Sequence, residues 1–276
     1  MLVGVGPPVN HSLSLAIYAI NLDRSVDRWE TLESNFSGLP YALHRIAALD
    51  AAFAPEKVLA VRGLHIALPP SGLGWSMVRQ REYLLVQEAC FASHLVALQQ
   101  FLHSTNDLAL ILEDDAVPSA ALPGRLAEIT RLKQPFDIIK LEGLKSGRRL
   151  AVARAQLSQG WLVNSLRPSA GSAAYVITRA AAEKLMQRAG KLLLPYDDYL
   201  SNPALTGCDI WHCSPLPIHQ SDAPSLIAQS YARDALRRRR GPLAYLRQAR
   251  TRAGLRWQLW NSALRRGGSI PRNFEW

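Results

Sequence analysis

The chain has 276 residues, 48% of them hydrophobic and 20% charged, with a formal net charge of +10. That length and balance suffice for a full core in one large or two small domains, and exclude a disordered or fibrous chain. The charge is uneven: Arg233 to Trp276 holds twelve arginines, no lysine, one aspartate and one glutamate, so this segment carries the whole excess over a neutral body.

Several functions fall away at once. Cys90, Cys208 and Cys213 are the only cysteines. They are too few and too scattered for a disulfide framework, and their scarcity fits a reducing compartment. Cys208, His212 and Cys213 sit close together but have no second ligand pair at zinc spacing. There is no GxSxG elbow, HExxH helix or Walker phosphate loop, and Gly4-x-Gly6 lacks the third glycine of a dinucleotide fingerprint. Pro7, Pro8, Asn10 and His11 interrupt an apolar N-terminus without a basic start, which reads against a signal peptide. No apolar run reaches the roughly 18–20 residues of a membrane span.

Taken in order, Leu15 to Ile20 is a short apolar run that predicts a buried strand. The polar stretch Asn21-Leu-Asp-Arg24 follows, and Ser25 is a favoured N-cap for a helix with Val26, Trp29, Leu32 and Phe36 at helical spacing. Arg24 and Arg28 then lie in the loop and first turn, where free backbone N–H groups also attract anions; pairing with Asp23, Asp27 and Glu30 is the plainer use of the same charges. Tyr41 to Ile46 predicts a second strand, and Asp50 stands just beyond it. Gly63, Pro69, Pro70, Gly72 and Gly74 mark residues 62–78 as a loop. A helical pattern runs from Arg79 to about His103 and puts Cys90 and His94 on one face, where a histidine is commonly a hydrogen-bonded packing residue.

Leu108-Ala-Leu-Ile-Leu112 predicts another buried strand, and it runs directly into Glu113, Asp114 and Asp115. Carboxylates are too costly to bury unpaired, so the three acids should emerge at the strand's carboxyl edge, where open α/β sheets bind ligands. Strand alternation would aim Glu113 and Asp115 one way and Asp114 the other. Such a cluster suits Mg²⁺ or Mn²⁺ beside a phosphate; an acidic turn is the alternative. Beyond it the pattern predicts a helix at 120–132, strands at 137–141 and 173–178, and a helix at 179–189 capped by Thr178 and stopped by Gly190. The loop 143–149 is basic. Leu192 to Leu200 is a second apolar run meeting paired acids, Asp197 and Asp198, for which a helix start is the alternative. Residues 210–218 read as extended chain leading to His219.

Six blocks in this order resemble family 25 glycosyltransferases, the lipooligosaccharide galactosyltransferases related to collagen galactosyltransferases. They are Ile17–Trp29, Ala89–Leu95, Leu110–Ala116, Asp137–Leu141, Gly171–Thr178 and Pro195–Leu200. One departure is visible: Ala89 stands where the family has a glycine before the Cys-x-x-Ser-His block. The resemblance implies an α/β, GT-A-like single catalytic domain over residues 1–232, with a central mixed, mainly parallel sheet flanked by helices. It also implies a nucleotide-sugar donor, typically UDP-galactose, and a saccharide or glycolipid acceptor. Glu113, Asp114 and Asp115 would then replace the DxD motif.

On that basis Glu113 and Asp115, with His219 as an extra ligand, are the expected Mn²⁺ or Mg²⁺ site. Asn21, Asp23, Arg24, Arg28, Asp50 and Asp114 are the expected donor contacts. Asp197 or Asp198 is the expected general base for an inverting β-galactosyl transfer, and Ser93 and His94 have an acceptor or structural role. The segment 233–276 reads as a basic amphipathic helix suited to an anionic membrane surface, which places the enzyme in the cytoplasm against the inner face of the membrane. Nucleic acid is the less favoured partner for that segment. A non-catalytic nucleotide-sugar or nucleic-acid binding protein with a structural acidic cluster is the competing reading.

Overall fold

The first strand, β1 (Leu15–Asn21), is buried at every position and sits between the two strands that define the site. A computed structural model describes residues 12–63, 75–133, 135–143, 149–165, 168–190, 195–221, Trp257 and Arg272–Phe274. β1 pairs in parallel with β2 (Leu43–Ala47) on one side and β3 (Leu108–Glu113) on the other. The chain passes from β1 to β2 through α1 (Val26–Phe36), and from β2 to β3 through α2 (Pro55–Arg62) and α3 (Trp75–His103).

Alternation along the strands explains why two layers of helix are needed. Ala16, Tyr18 and Ile20 of β1 join Ala109 and Ile111 of β3 and Phe91, Leu95, Leu98 and Phe101 of α3 in one core cluster. Leu15, Ile17 and Ala19 join Leu108, Leu110 and Leu112 and the α1 residues Leu32 and Phe36 in the other. A strand apolar on both faces must be covered on both. Because α1 and α3 lie on opposite faces, the carboxyl ends of β1 and β3 open onto a crevice, the switch point where such sheets bind ligands.

Further along come β4 (Ala116–Pro118), α4 (Leu122–Ile129), β5 (Ile138–Lys140), β6 (Arg149–Leu157), β7 (Gly160–Ser165), β8 (Ala174–Thr178), α5 (Arg179–Ala189), α6 (Tyr196–Leu200), α7 (Pro203–Thr206), β9 (Ile210–Ser214), β10 (Ile218–Gln220) and β11 (Arg272–Phe274). Among the described residues the main sheet runs β11-β6-β7-β9-β5-β8-β3-β1-β2, and β4 pairs with β10 in a small ribbon beside it. The sheet is α/β and mixed, as expected, but parallel pairing is confined to β1–β2, β1–β3 and β5–β9, so it is not mainly parallel. The antiparallel β8 enters between β3 and β5 and separates the parallel pairs.

Several expectations shift on contact with the structure. Ser25 occupies the N-cap of α1 but makes no side-chain capping bond; its carbonyl instead accepts Asn21 Nδ2 at 3.0 Å. Thr178 caps α5 as expected, accepting the Ala181 N–H at 3.2 Å. Helix α2, with Pro55 in its first turn and left-handed Gly63 at its end, was not anticipated, nor was the β6–β7 hairpin. The apolar stretch at 192–194 and most of the basic loop 143–149 lie outside the described residues. So does most of the arginine-rich segment, but its Arg272–Phe274 forms β11, antiparallel to β6 at the sheet edge. No helix among the described residues is long and apolar enough to cross a membrane.

The β1–β3 contact should dominate stability. Leu110 is fully buried in it, and Leu110→Ala is expected to cost about 2–5 kcal/mol, read as a lower denaturation midpoint at unchanged slope.

Candidate functional site

Strand β3 ends at Glu113, and Asp114 and Asp115 form the turn into β4, so the three carboxylates diverge instead of alternating. Glu113 keeps the parity of Ala109 and Ile111 and faces α3. Its Oε1 accepts Ser172 Oγ at 2.6 Å and lies 3.2 Å from His94 Nε2. Burial alone would raise its carboxyl; the hydrogen bond and charge of His94, helped by Ser172 and Arg28, bring it below the ordinary value.

Asp114 turns toward β1. Its Oδ1 accepts Arg28 Nη1 at 2.7 Å and its Oδ2 accepts Asn21 Nδ2 at 2.8 Å. Asn21 Oδ1 in turn accepts Arg45 Nε and Nη2 at 3.0 and 2.8 Å. Burial outweighs these partners and raises the Asp114 carboxyl. Asp115 is held differently. Its backbone carbonyl accepts the Ser221 N–H at 2.8 Å and its Oδ2 accepts Gln220 Nε2 at 3.3 Å, while its Oδ1 is buried with no hydrogen-bond partner. Burial, then the charges of Glu113 and Asp114, push this carboxyl up to about 7. A buried acceptor without a donor is costly, and it belongs to a residue that lines the pocket.

That pocket, about 200 Å³, is lined by all three acids together with Arg24, Arg28, Asp50, Cys90, Ser93 and His94. Arg24 is half exposed and pairs with Asp50 through Nε at 2.7 Å; Asp50 Oδ1 also caps the turn at Ala52 N, 2.9 Å away. Ser93 is a strut: its hydroxyl donates to Ala89 O at 2.7 Å and accepts Leu49 N at 2.9 Å, tying α3 to the pocket wall after β2. The Ala89 methyl packs beside Val58 of α2.

Helix α6 approaches from the far side. Tyr196 is stacked on His94 with ring centroids 4.0 Å apart and 10° between planes, and the Tyr175 hydroxyl lies 2.8 Å from Tyr196 Oη and 3.2 Å from His94 Nδ1. The next residue, Asp197, is half-buried, and its charge reaches Cys90 on the pocket wall. Asp198 is exposed. The pair belongs to the first turn of a short helix, not to a strand end.

Five expected members do not line the pocket: Asn21, which lies behind Asp114, Asp197 and Asp198 on α6, and Asp23 and His219, which point away. Asp23 is largely exposed and pairs with Arg45 at 3.1 Å. His219 is exposed on β10, opposite Val117, and strand alternation gives the contact with Asp115 to Gln220.

One residue was missed. Glu142, two positions past the end of β5, is nearly fully buried and accepts Ala173 N at 3.2 Å. The Ala173 carbonyl accepts Glu113 N at 2.9 Å, so a single residue links the two acids. Gly171, at φ +110°, lies against the Glu142 carboxylate, which a β-carbon would strike. A lone acid after a strand is a weak signal; its meaning comes from Gly171 across the sheet.

A match to the family described as "Glycosyltransferase family 25 (LPS biosynthesis protein)" spans residues 14–200. The chain belongs to glycosyltransferase family 25. The matched span runs from β1 through α6 and contains every pocket residue named above. No curated protein matches the chain. Among solved structures it is similar to A197 from STIV (13% identity, 72% of this chain and 81% of that one, TM-score 0.35). It is also similar to the inositol-1-phosphate CTP transferase from T. maritima (11%, 78% and 91%, 0.39). A third is a glycosyltransferase involved in glycosylation of the major capsid of PBCV-1 (9%, 79% and 96%, 0.37).

Glu142 provides a test of this electrostatic picture. Burial, against the pull of Lys140, raises its carboxyl from the ordinary 4.5 to about 7. Between those values the folded state holds a proton that the unfolded state has released, so stability should fall as pH rises from about 4.5 to about 7 and then level off. Glu142→Gln is expected to flatten that part of the profile in urea titrations and to be more stable than wild type at pH 8.

Proposed function

We propose that this family 25 enzyme transfers a hexose, galactose from UDP-galactose, with inversion, to a saccharide hydroxyl of a membrane glycolipid. The observation that carries the reading is the convergence of Asp115, Glu113 and two arginines on one pocket, with one Asp115 oxygen left without a donor. An all-oxygen donor pair of this kind fits a hard cation, Mn²⁺ or Mg²⁺. Asp115 through Oδ1 and Glu113 through Oε2 would hold it, since the protein donors to Glu113 both fall on Oε1. Such an ion would act as a Lewis acid toward the departing diphosphate.

The remaining roles follow from what each side chain touches. Arg24 and Arg28 face the pocket beside the start of α1 and offset the charge that grows on the leaving group. Arg28 is aimed by Asp114, and Asp114 by Asn21, so in this reading Asp114 serves the donor by bracing its arginine. The acceptor hydroxyl must lose its proton as its oxygen bonds to the anomeric carbon, opposite the diphosphate. Asp197 takes that proton, because it is half-buried next to Tyr196, which stacks on the pocket-lining His94, while Asp198 is exposed.

Asp115→Asn is expected to lower nucleotide release from UDP-galactose by at least ~100-fold, the scale of losing one transition-state electrostatic contact, with circular dichroism unchanged. A panel of UDP-, GDP- and CMP-sugars with and without Mn²⁺ identifies the donor; absence of release from all of them would leave a binding protein. Asp197→Asn should abolish transfer to acceptor while Asp198→Asn retains it, and the reverse order would reassign the base.

The arginine-rich segment is proposed to seat the enzyme on the anionic inner face of the cytoplasmic membrane, near its glycolipid acceptor. Exchanging Arg237, Arg238, Arg239 and Arg240 for glutamine should reduce sedimentation with phosphatidylserine vesicles. Equal sedimentation of the variant would remove this part of the proposal.

A further inference from the structure

Cys90 and His94 are four residues apart on α3 and so share a face, and that face meets Glu113 at the end of β3. Cys90 Sγ, a His94 ring nitrogen and a Glu113 oxygen lie within 4.8 Å of one another. The His94 Nε2 to Glu113 Oε1 separation is 3.2 Å. Two ligands on a tetrahedral zinc ion, each bonded at about 2.0–2.1 Å, stand about 3.3 Å apart, so this pair already has the right spacing. The thiol sulfur lies within 4.8 Å of both.

The groups behind these three are also in place. His94 Nδ1 is 3.2 Å from Tyr175 Oη, which is 2.8 Å from Tyr196 Oη. Ser172 Oγ donates to Glu113 at 2.6 Å, and the Tyr196 ring lies flat on the imidazole. Outer hydrogen bonds of this kind fix a ligating histidine's tautomer and orientation. Cys90, His94 and Glu113 all line the pocket, which supplies an entry path and room for an exogenous fourth ligand. Ligand set, spacing, outer shell and access are the marks of a metal site.

We propose that Cys90, His94 and Glu113 form a binding site for a thiophilic divalent cation, Zn²⁺ or Cd²⁺, on the wall of the pocket, distinct in chemistry from the all-oxygen pair. Binding releases two protons to solvent, the Cys90 thiol proton and the Nε2 proton of the charged His94, while the His94 Nδ1–H donates to the Tyr175 oxygen. Tyr175 then donates to Tyr196, so the chain of hydroxyls stays satisfied. Glu113 is common to this site and to the pair proposed for the donor's cation, so the two ions compete. That competition rests on the proposed function; the thiophilic site itself does not.

Co²⁺, added to the full chain as a spectroscopic probe, tests the site without any enzymatic reaction. The expected result is a near-ultraviolet thiolate-to-cobalt absorption band, bleached by stoichiometric Zn²⁺, that is absent in Cys90→Ser and retained in Cys208→Ser and Cys213→Ser. Tyr175→Phe should keep the band and weaken cobalt affinity about 10–100-fold, the usual scale for an outer-shell partner. A folded wild-type protein with no band, or a band that survives Cys90→Ser, overturns the proposal. Loss of sugar-transfer activity from the Proposed function reading would leave these spectra unchanged.

Discussion

The parallel pairing of β1 with β3 is the constraint on which the pocket depends. Its register sets Ile20 beside Glu113 and so places Asn21 within reach of Asp114. From that contact the order spreads outward, from Asn21 to Arg45 and from Asp114 to Arg28. The apolar alternation that buries both faces of these strands also decides that Glu113 faces α3. A slip of one residue would reverse every side chain, putting a carboxylate against Leu32 and Phe36 in the α1 layer.

Three adjacent acids have three different environments, and the difference lies in their donors. Glu113 has a histidine and a serine, and is carried below its ordinary value despite burial. Asp114 has an arginine and an asparagine. Asp115 has one long contact from Gln220 and an oxygen with none. Its high proton affinity comes from burial beside two other carboxylates, and its unsatisfied oxygen from the lack of any protein donor within reach.

The sequence was informative wherever a single period governed a whole element. β1, β3, β5 and β8 were legible as apolar runs, and α1, α3 and α5 from helical spacing, because burial on one or both faces writes itself into the pattern. Helix α2 was hidden in a stretch rich in alanine and charge, although Pro55 at its start and Gly63 at its end were usable signals. The β6–β7 hairpin mixes arginine and glutamine with its apolar residues, which blurs alternation. At the site, the acids were visible as a cluster, but their division of labour was not. His94 was read as a packing residue; its ties to Tyr175, Tyr196 and Glu113 join positions up to 102 residues apart. Glu142 needed Gly171, and Gln220 rather than His219 needed the β4–β10 register.

The terminal strand β11 changes the meaning of the arginine-rich segment. Ser221 is bonded to Asp115 beside the pocket, whereas Arg272–Phe274 form a strand at the β6 edge of the main sheet. Six strand spacings of about 4.8 Å separate β3 from β11, roughly 30 Å. The arginine-rich segment therefore has three residues near its end anchored in the sheet. That strand covers Arg149 to Ala151 of β6, whose backbone groups would otherwise stand open as a template for other chains. Truncating the segment would thus remove that partner strand and leave Arg149 to Ala151 of β6 as an unpaired edge.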